Sequence, residues 1–266
     1  MKKALCAWTI IFTLVISLAG IASAGPVMDR VLKKGELVVG TTASQPPLNA
    51  TSKSGQVIGF DADLARSMAE TMGVKIKFVT LPFAELLPAL EKGKLDLILS
   101  GMTMLPERNL KVAFVGPYFI SGKGILTKAK HIAAFESASG LNQPDFKVAA
   151  LKNSTSQTFV EKNAPNAKLV ATASYDEAID MLIADKVDAI IADTPFCAVS
   201  AFRFGDKGLT AGKARLSFEP LGIALQEDAL LINWLENYLL MLEGSGRLKR
   251  MHEFWFKNAS WIKEIK

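Results

Sequence analysis

Two short segments that share one order of residue types constrain the fold of this chain more than any other feature of the sequence. Residues 94–100 (KLDLILS) and 186–192 (KVDAIIA) each follow an apolar helical pattern, and each ends in a polar turn. A second pair, residues 37–42 (LVVGTT) and 147–152 (KVAALK), repeats a strand that runs into a polar loop. We therefore predict two α/β lobes of similar build, against the alternative that such short patterns echo one another by chance.

Between these strands, apolar residues recur with helical spacing. One buried helical face is predicted from four residues spaced four apart: Phe60, Leu64, Met68 and Met72. Gly73 is well placed to end this helix. Helices that alternate with strands indicate a sheet covered on both faces, in which ligands bind beyond the C-terminal ends of the strands. Those ends are residues 42–45 and 100–103.

The N-terminus has the three parts of a secretory signal peptide. Lys2 and Lys3 precede an uncharged apolar run over residues 7–18, and the small-residue site Ala22-Ser23-Ala24 follows that run. We predict a signal peptide over residues 1–24, with an uncleaved membrane anchor as the alternative. Cys6 lies too early for lipidation at this site, so we expect the rest of the chain in the periplasm without a lipid anchor.

The remaining composition argues against several classes of function. The formal net charge is +5, and the basic residues are dispersed rather than clustered among aromatics, which argues against nucleic-acid binding. After the signal peptide Cys197 is the single cysteine, and no metal-ligand spacing is present. No HExxH, GxSxG or P-loop motif occurs. We expect a monomer with no metal and no cofactor.

Polar clusters follow the predicted strands and could line a binding site. The first cluster is residues 100–103 (SGMT), after which Pro106 opens a short helix that carries Arg108. A guanidinium there offers a planar fork for a carboxylate, and free backbone N–H groups near Thr103 could complete an anion site. The alternative is a solvated Arg108 paired with an acid such as Glu107.

Three further clusters complete this prediction. Residues 153–157 (NSTSQ) lead into a helix whose first N–H groups favour an anion, and an ordinary N-cap, the simpler interpretation, is compatible with that role. Asp193 ends an apolar strand, and it either holds a ligand ammonium or caps the helix at Pro195. Residues 42–47 could line the same mouth, and Phe83 could cover a ligand, although an aromatic there is more often core. A cation, an anion, a helix start and an aromatic together fit a zwitterion.

Over nearly its whole length after residue 24, the chain resembles the bacterial periplasmic amino-acid-binding proteins of ABC importers. The segments that carry this resemblance are, in order, GFDADLA (59–65), SGMT (100–103), PER (106–108), VDA through Asp193 (187–193), GIAL (222–225) and residues 231–244. Each segment is common alone, but their order and spacing together are specific to the family.

The resemblance implies the type II periplasmic binding fold. Two α/β lobes would be joined by two crossover strands, near residues 118–124 and 219–222, and would close on the ligand like a hinge. Lobe 1 would comprise residues 25–120 and 223–266, and lobe 2 residues 121–222. An ABC permease in the inner membrane would be the partner.

The resemblance also implies a role for the clusters. The predicted ligand-binding residues are Thr42, Phe83, Ser100, Gly101, Thr103, Arg108, Lys152, Ser156 and Asp193. Arg108 would hold the ligand α-carboxylate with help from the backbone at Thr103 and Ser156. Asp193 would hold the α-ammonium together with the Gly101 carbonyl.

Four positions bear on the ligand side chain. Phe83 would pack against it, and Lys152 would meet a polar group. Thr42 stands where relatives that bind basic amino acids carry an acid, and Gln45 stands where a second aromatic is common. These positions favour a neutral polar or acidic side chain, such as that of glutamine or glutamate, while a carboxylate that is not an amino acid stays possible.

Two other classes compete with a binding protein. An enzyme on the same scaffold, such as a dehydratase acting on a small carboxylate, needs a general acid or base in the cleft. No histidine is expected there, and Glu85 is expected on a solvated helix face. A receptor sensor domain would be expected to continue beyond Lys266 into a membrane helix.

Overall fold

The computed structural model describes residues 25–135 and 138–266. The predicted signal peptide, residues 1–24, lies outside the described residues. No helix in the described part of the chain is long and apolar enough to cross a membrane.

Strands and helices alternate along most of the chain. The strands are β1 (Glu36–Thr41), β2 (Ser44–Gln45), β3 (Asn49–Thr51), β4 (Val57–Ile58), β5 (Lys75–Thr80), β6 (Leu97–Ile98), β7 (Ala113–Ser121), β8 (Lys123–Lys128), β9 (Lys147–Leu151), β10 (Lys168–Thr172), β11 (Ala189–Asp193), β12 (Leu209–Ala211) and β13 (Glu219–Leu225). The α-helices are α1 (Pro26–Lys34), α2 (Phe60–Met72), α3 (Phe83–Glu91), α4 (Pro106–Asn109), α5 (Ala138–Leu141), α6 (Thr155–Asn163), α7 (Tyr175–Ile183), α8 (Thr194–Arg203), α9 (Ala229–Gly244) and α10 (Arg247–Lys257). Short 3-10 helices span Ala129–Phe135, Gly205–Lys207 and Ser260–Glu264.

Two five-stranded mixed sheets of the same design form two lobes. Their strand orders are β5-β1-β6-β13-β7 and β10-β9-β11-β8-β12. In each sheet the first three strands are parallel and the last two are antiparallel to their neighbours. A small antiparallel sheet, β2-β3-β4, is added to the first lobe. This confirms the predicted α/β fold of two lobes.

The echoed aspartates have the same structural role in both lobes. The Asp96 carboxylate, just before β6, accepts a hydrogen bond from the Val38 backbone N–H at 2.7 Å, within the neighbouring parallel strand β1. The Asp188 carboxylate accepts from the Lys147 N–H at 2.8 Å, at the equivalent point of the second lobe. The sequence echo therefore reflects one repeated strand connection, not chance.

The predicted helices form where the apolar spacing placed them. Phe60, Leu64 and Met68 of α2 are fully buried in the first lobe's core, and the helix ends at Gly73, whose φ of 70° is the left-handed conformation that glycine tolerates. In the second lobe, α6 and α7 pack against β9 and β11. The thiol of Cys197 is buried and unpaired.

Two chain crossings link the lobes, and both lie at one end of the cleft. β7 of the first sheet leads through Gly122 into β8 of the second, and β13 returns to the first sheet beside β7, with Glu219 opposite Ser121. A Cβ at Gly122 would lie 2.4 Å from the Ser217 carbonyl oxygen, so this crossing admits no side chain. The crossing brings Lys123 and Glu219 to the back of the cleft.

Candidate functional site

One end of the cleft is formed by Arg108 on the short helix α4. Its guanidinium donates to the main-chain oxygen of Thr103 at 2.9 Å and to that of Asn153, across the cleft, at 3.4 Å. Burial lowers the pKa of Arg108, although Glu219 and Glu107 oppose this shift; an arginine stays protonated nonetheless. Arg108 forms no ion pair with a carboxylate of the described residues, so its charge is available for a ligand anion.

Arg108 also lies between two cavities and against an aromatic ring. Its Cζ is 5.6 Å from the centre of the Phe83 ring, which is almost fully buried at the start of α3. A cavity of about 560 Å³ lies between the lobes, with Arg108 and Glu219 on one side and Thr155 on the other. A second cavity of about 290 Å³ runs past Phe83 and Arg108. The larger volume is within the range of small-molecule sites.

A buried cluster of three charged side chains begins at Glu219, beside the cavity that Arg108 lines, and extends to Asp193. The Lys123 Nζ lies 2.9 Å from Asp193 Oδ1 and 3.6 Å from Glu219 Oε2, and the side chain of each partner is also nearly inaccessible to solvent. Although Asp193 stands at the N-cap of α8, its carboxylate makes no capping hydrogen bond. A buried acid at this strand end needs a cation or helix N–H groups as partners, and the structure supplies the cation, Lys123. The alternative that the Asp193 carboxylate caps the helix at Pro195 is wrong.

Protein donors surround Glu219 on the second crossover strand. Thr103 donates its hydroxyl to Oε2 at 2.7 Å, and Ser217 donates to Oε1 at 2.9 Å. Burial alone would raise the pKa of Glu219, but Lys123 and these hydroxyls hold it below its ordinary value. Glu219 is therefore a carboxylate at neutral pH.

A direct hydrogen bond joins the lobes at Asp193. Gln45 of β2 donates its Nε2 to Asp193 Oδ2 at 2.5 Å. The Gln45 amide lies on Gly101, where a Cβ would come within 3.0 Å of Gln45 Oε1. Gly101 therefore leaves room for the glutamine that reaches the second lobe.

A separate network connects two of the predicted residues behind the cleft. Ser100 Oγ accepts from the Thr42 N–H at 3.0 Å, and Thr42 donates its hydroxyl to Asn49 Oδ1 at 2.7 Å. Asn49 then donates to Asp61 Oδ2 at 2.9 Å, an oxygen that also accepts the Gly101 N–H at 3.0 Å. Thr42 and Ser100 thus brace the loops of the first lobe that carry Gln45 and Gly101.

This network gives a testable pH dependence. Burial raises the pKa of Asp61 from 3.8 to about 7, against hydrogen bonds from Asn49 and Gly101. Between these pH values the folded chain binds more protons than the unfolded chain, so this group makes stability fall as pH rises from about 4 to about 7. Asp61→Asn keeps an oxygen for both donors and cannot titrate. We expect the unfolding free energy of the wild type, relative to this variant, to fall by up to about 4 kcal/mol between pH 4 and pH 8.

Urea unfolding of both proteins across this pH range measures the effect. Asp206→Asn, at an exposed carboxylate, is the control and should run parallel to the wild type. Parallel curves for wild type and Asp61→Asn would contradict the assignment of a protonated Asp61.

The structure brings five of the nine predicted residues to the cleft and leaves four outside its chain of contacts: Thr42 and Ser100, which lie in the network behind it, and Ser156 and Lys152. Contacts run in sequence from Arg108 through Thr103, Glu219, Lys123 and Asp193 to Gln45 and Gly101. Ser156 is fully buried, and its backbone N–H donates to the capping oxygen of Ser154 at 3.1 Å. Lys152 follows β9 and is exposed. The helix start at Ser154 therefore forms the predicted N-cap, a role that is compatible with the predicted anion site.

Sequence reasoning did not assign a binding role to Lys123, Glu219 or Thr155. Lys123 had a signal: it is a lone charge between two glycines, directly before the apolar run of β8, within a predicted crossover segment. A lysine in a buried strand needs an acid nearby. Glu219 begins the other predicted crossover, so the pair could have been proposed from the two crossovers together.

Two α/β lobes with a charged cleft at their crossover strands define a solute-binding protein fold. The model of the bacterial extracellular solute-binding proteins, family 3, matches residues 37–258, and the chain belongs to this family. The arginine-binding protein 1 of an ABC transporter from Escherichia coli is 26% identical over 224 residues, 82% of this chain and 89% of that protein.

Similar proteins include both a binding protein and an enzyme. The crystal structure of an ancestral amino-acid-binding protein, a precursor of cyclohexadienyl dehydratase, superposes with a TM-score of 0.80 at 35% identity, covering 86% of this chain and 99% of that one. Cyclohexadienyl dehydratase from Pseudomonas aeruginosa is 23% identical over 230 residues, 86% of each chain.

Proposed function

We propose that this chain is the periplasmic solute-binding component of an ABC importer and captures an L-amino acid with a neutral polar or acidic side chain between its lobes. The observation that carries the proposal is the separation of charge along the cleft. Arg108 has no carboxylate partner among the described residues, whereas Asp193 and Glu219 share the single cation Lys123. One end therefore favours an anion and the other a cation, as in a zwitterion.

The proposed contacts follow this polarity. The Arg108 guanidinium binds the α-carboxylate beside the Thr103 and Ser156 backbone, and the Asp193 end with the Gly101 carbonyl binds the α-ammonium. A carboxylate oxygen pair has about four acceptor positions, so Asp193 can accept an ammonium in addition to its present donors.

Three other predicted residues complete the proposal for the ligand side chain. Phe83 covers it, Thr42 leaves the first strand end without an acid, and Lys152 reaches a polar group at the rim. An arginine or lysine side chain would need an acid at the position of Thr42, so the threonine supports a ligand with a neutral or acidic side chain.

Closure of the lobes couples binding to transport. Gln45 on one lobe donates a hydrogen bond to Asp193 on the other. A ligand at Asp193 can therefore contact residues of both lobes only when the lobes are closed. A permease that prefers the closed form then selects the loaded protein. We propose that the protein acts as a monomer in the periplasm, with lobe 1 at residues 25–120 and 223–266 and lobe 2 at 121–222.

A thermal-shift screen against the twenty L-amino acids and simple carboxylates tests this function. A ligand at 100 times its Kd should add about 2.7 kcal/mol to the unfolding free energy, which raises Tm visibly. Stabilisation by one or a few amino acids supports the proposal. Stabilisation only by carboxylates without an ammonium would contradict it.

The competing function is that of a dehydratase on the same scaffold. The observation that favours it is the similarity to cyclohexadienyl dehydratase. Such an enzyme needs a general acid in the cleft. Glu219 is held ionised by Lys123, Glu85 is exposed, and Asp61, whose pKa burial raises to about 7, is buried behind Gly101. We propose binding without turnover; conversion of any stabilising carboxylate during incubation would overturn this.

A further inference from the structure

We infer that Lys123 sets the net charge of the ligand and restricts the cleft to amino acids whose side chain is uncharged. This inference rests on the proposed function and narrows its substrate class. It concerns a residue that spacing and motifs did not single out as a binding residue.

Lys123 is buried where the chain crosses from the first lobe to the second. Its side chain is 3% exposed, and it leaves the strand immediately after the crossover at Gly122. Lys123 Nζ contacts Asp193 Oδ1 at 2.9 Å and lies 3.6 Å from Glu219 Oε2. Both acids are almost fully buried, so the three charges interact in surroundings that screen them little.

The charges that line the cleft balance one another. Asp193 and Glu219 carry two negative charges, of which Lys123 cancels one, and Arg108 adds one positive charge at the other end. The lined cleft is therefore neutral overall and polarised, which matches a ligand with one carboxylate, one ammonium and an uncharged side chain. Glu107 and Lys162 at the cavity mouth and Lys152 at the rim are exposed, so solvent screens their charges and they stay outside this balance.

Without Lys123, the cleft would favour a ligand with an additional positive charge. Two buried acids would then face the ligand ammonium, and a ligand with a second cation would restore the balance. Arginine, the ligand in the name of one relative, is such a molecule. Lys123 thus supplies the positive charge that the side chain of a basic ligand would otherwise supply.

The test is isothermal titration of the purified protein with L-glutamine, L-glutamate and L-arginine, together with any amino acid that the thermal screen identifies. The wild type should bind an uncharged amino acid more tightly than glutamate or arginine. Lys123→Gln should change the ratio of affinities for arginine over the uncharged ligand by about tenfold or more in favour of arginine. Glu219→Gln should change the ratio of affinities for glutamate over the uncharged ligand by about tenfold or more in favour of glutamate.

Two further variants make the result specific to charge. Lys123→Gln with Glu219→Gln restores a neutral cleft and should return the preference to the uncharged ligand. Lys128→Gln makes the same change on the same strand, where the lysine pairs with Asp185 outside the cleft, and should leave the order of affinities unchanged. Circular dichroism melts identify any variant that fails to fold, and Glu219→Gln and the double variant then still decide the question.

The outcomes separate this inference from the proposed function. A wild type that binds no amino acid in the screen overturns both. A wild type that binds amino acids but prefers arginine or glutamate overturns the inference alone. So do affinity ratios in Lys123→Gln and in Glu219→Gln that equal those of the wild type.

Discussion

Arg108→Ala is expected to weaken binding of the amino acid found in the thermal screen by at least about a hundredfold, a loss of ~3 kcal/mol or more. The reason is that the ligand carboxylate would be buried in the cleft without its partner. Among the described residues, the guanidinium donates to the main-chain oxygens of Thr103 and Asn153 and to no carboxylate. The fold should therefore lose about 1 kcal/mol or less, and isothermal titration together with a melting curve separates the two effects.

The chain offers a matched control for this variant. Arg66 likewise lies over an aromatic ring, with Cζ 5.2 Å from the centre of Phe78, and likewise donates to a main-chain oxygen, that of Val57. It lies on the first lobe outside the cleft, so Arg66→Ala should leave ligand affinity unchanged. Arg108→Lys keeps the charge but loses the planar fork, and it should fall between Ala and wild type. Normal affinity in Arg108→Ala would refute the assignment of the carboxylate end.

Local patterns were sufficient to predict the framework. The four-residue spacing from Phe60 to Met72 reports which face of α2 is buried, because that periodicity is set by the helix itself. The echo of Asp96 by Asp188 predicted two similar lobes, and in each lobe this aspartate precedes a parallel strand and accepts a backbone N–H from the strand beside it, β1 or β9. These are contacts that one strand connection fixes, so short segments encode them.

The cleft was predicted only in part, because its partners come together through the tertiary fold. Arg108 and Asp193 follow strands whose C-terminal ends meet at the cleft, and this rule located them. Lys123 meets Asp193 only because β8 pairs with β11, and it meets Glu219 only because β7 pairs with β13. No local pattern states those pairings. The same limit applies to Lys152. Its position directly after a strand predicted that it lies close to the ligand, whereas its exposure to solvent depends on how the neighbouring loop turns.

Asp193→Ala is expected to lower the unfolding free energy, measured in urea without added ligand, by about 3–5 kcal/mol. The variant removes the nearest anion of a lysine that is 3% exposed, and it also removes the acceptor of the Gln45 amide. Glu219, 3.6 Å from the same ammonium, remains as the only other acid of this cluster and limits the loss to the lower part of that range.

Burial, and not the ion pair itself, is the reason for this expectation. Asp185 contacts two lysines at 2.5 and 2.9 Å, yet its side chain is 55% exposed, so Asp185→Ala should leave the unfolding free energy close to that of the wild type. Replacing both partners, in Asp193→Ala with Lys123→Met, leaves no uncompensated cation and should recover most of the loss. If Asp193→Ala and Asp185→Ala are equally mild, Lys123 reaches water in solution. The cleft then lacks the buried charge balance on which ligand selection by Lys123 depends.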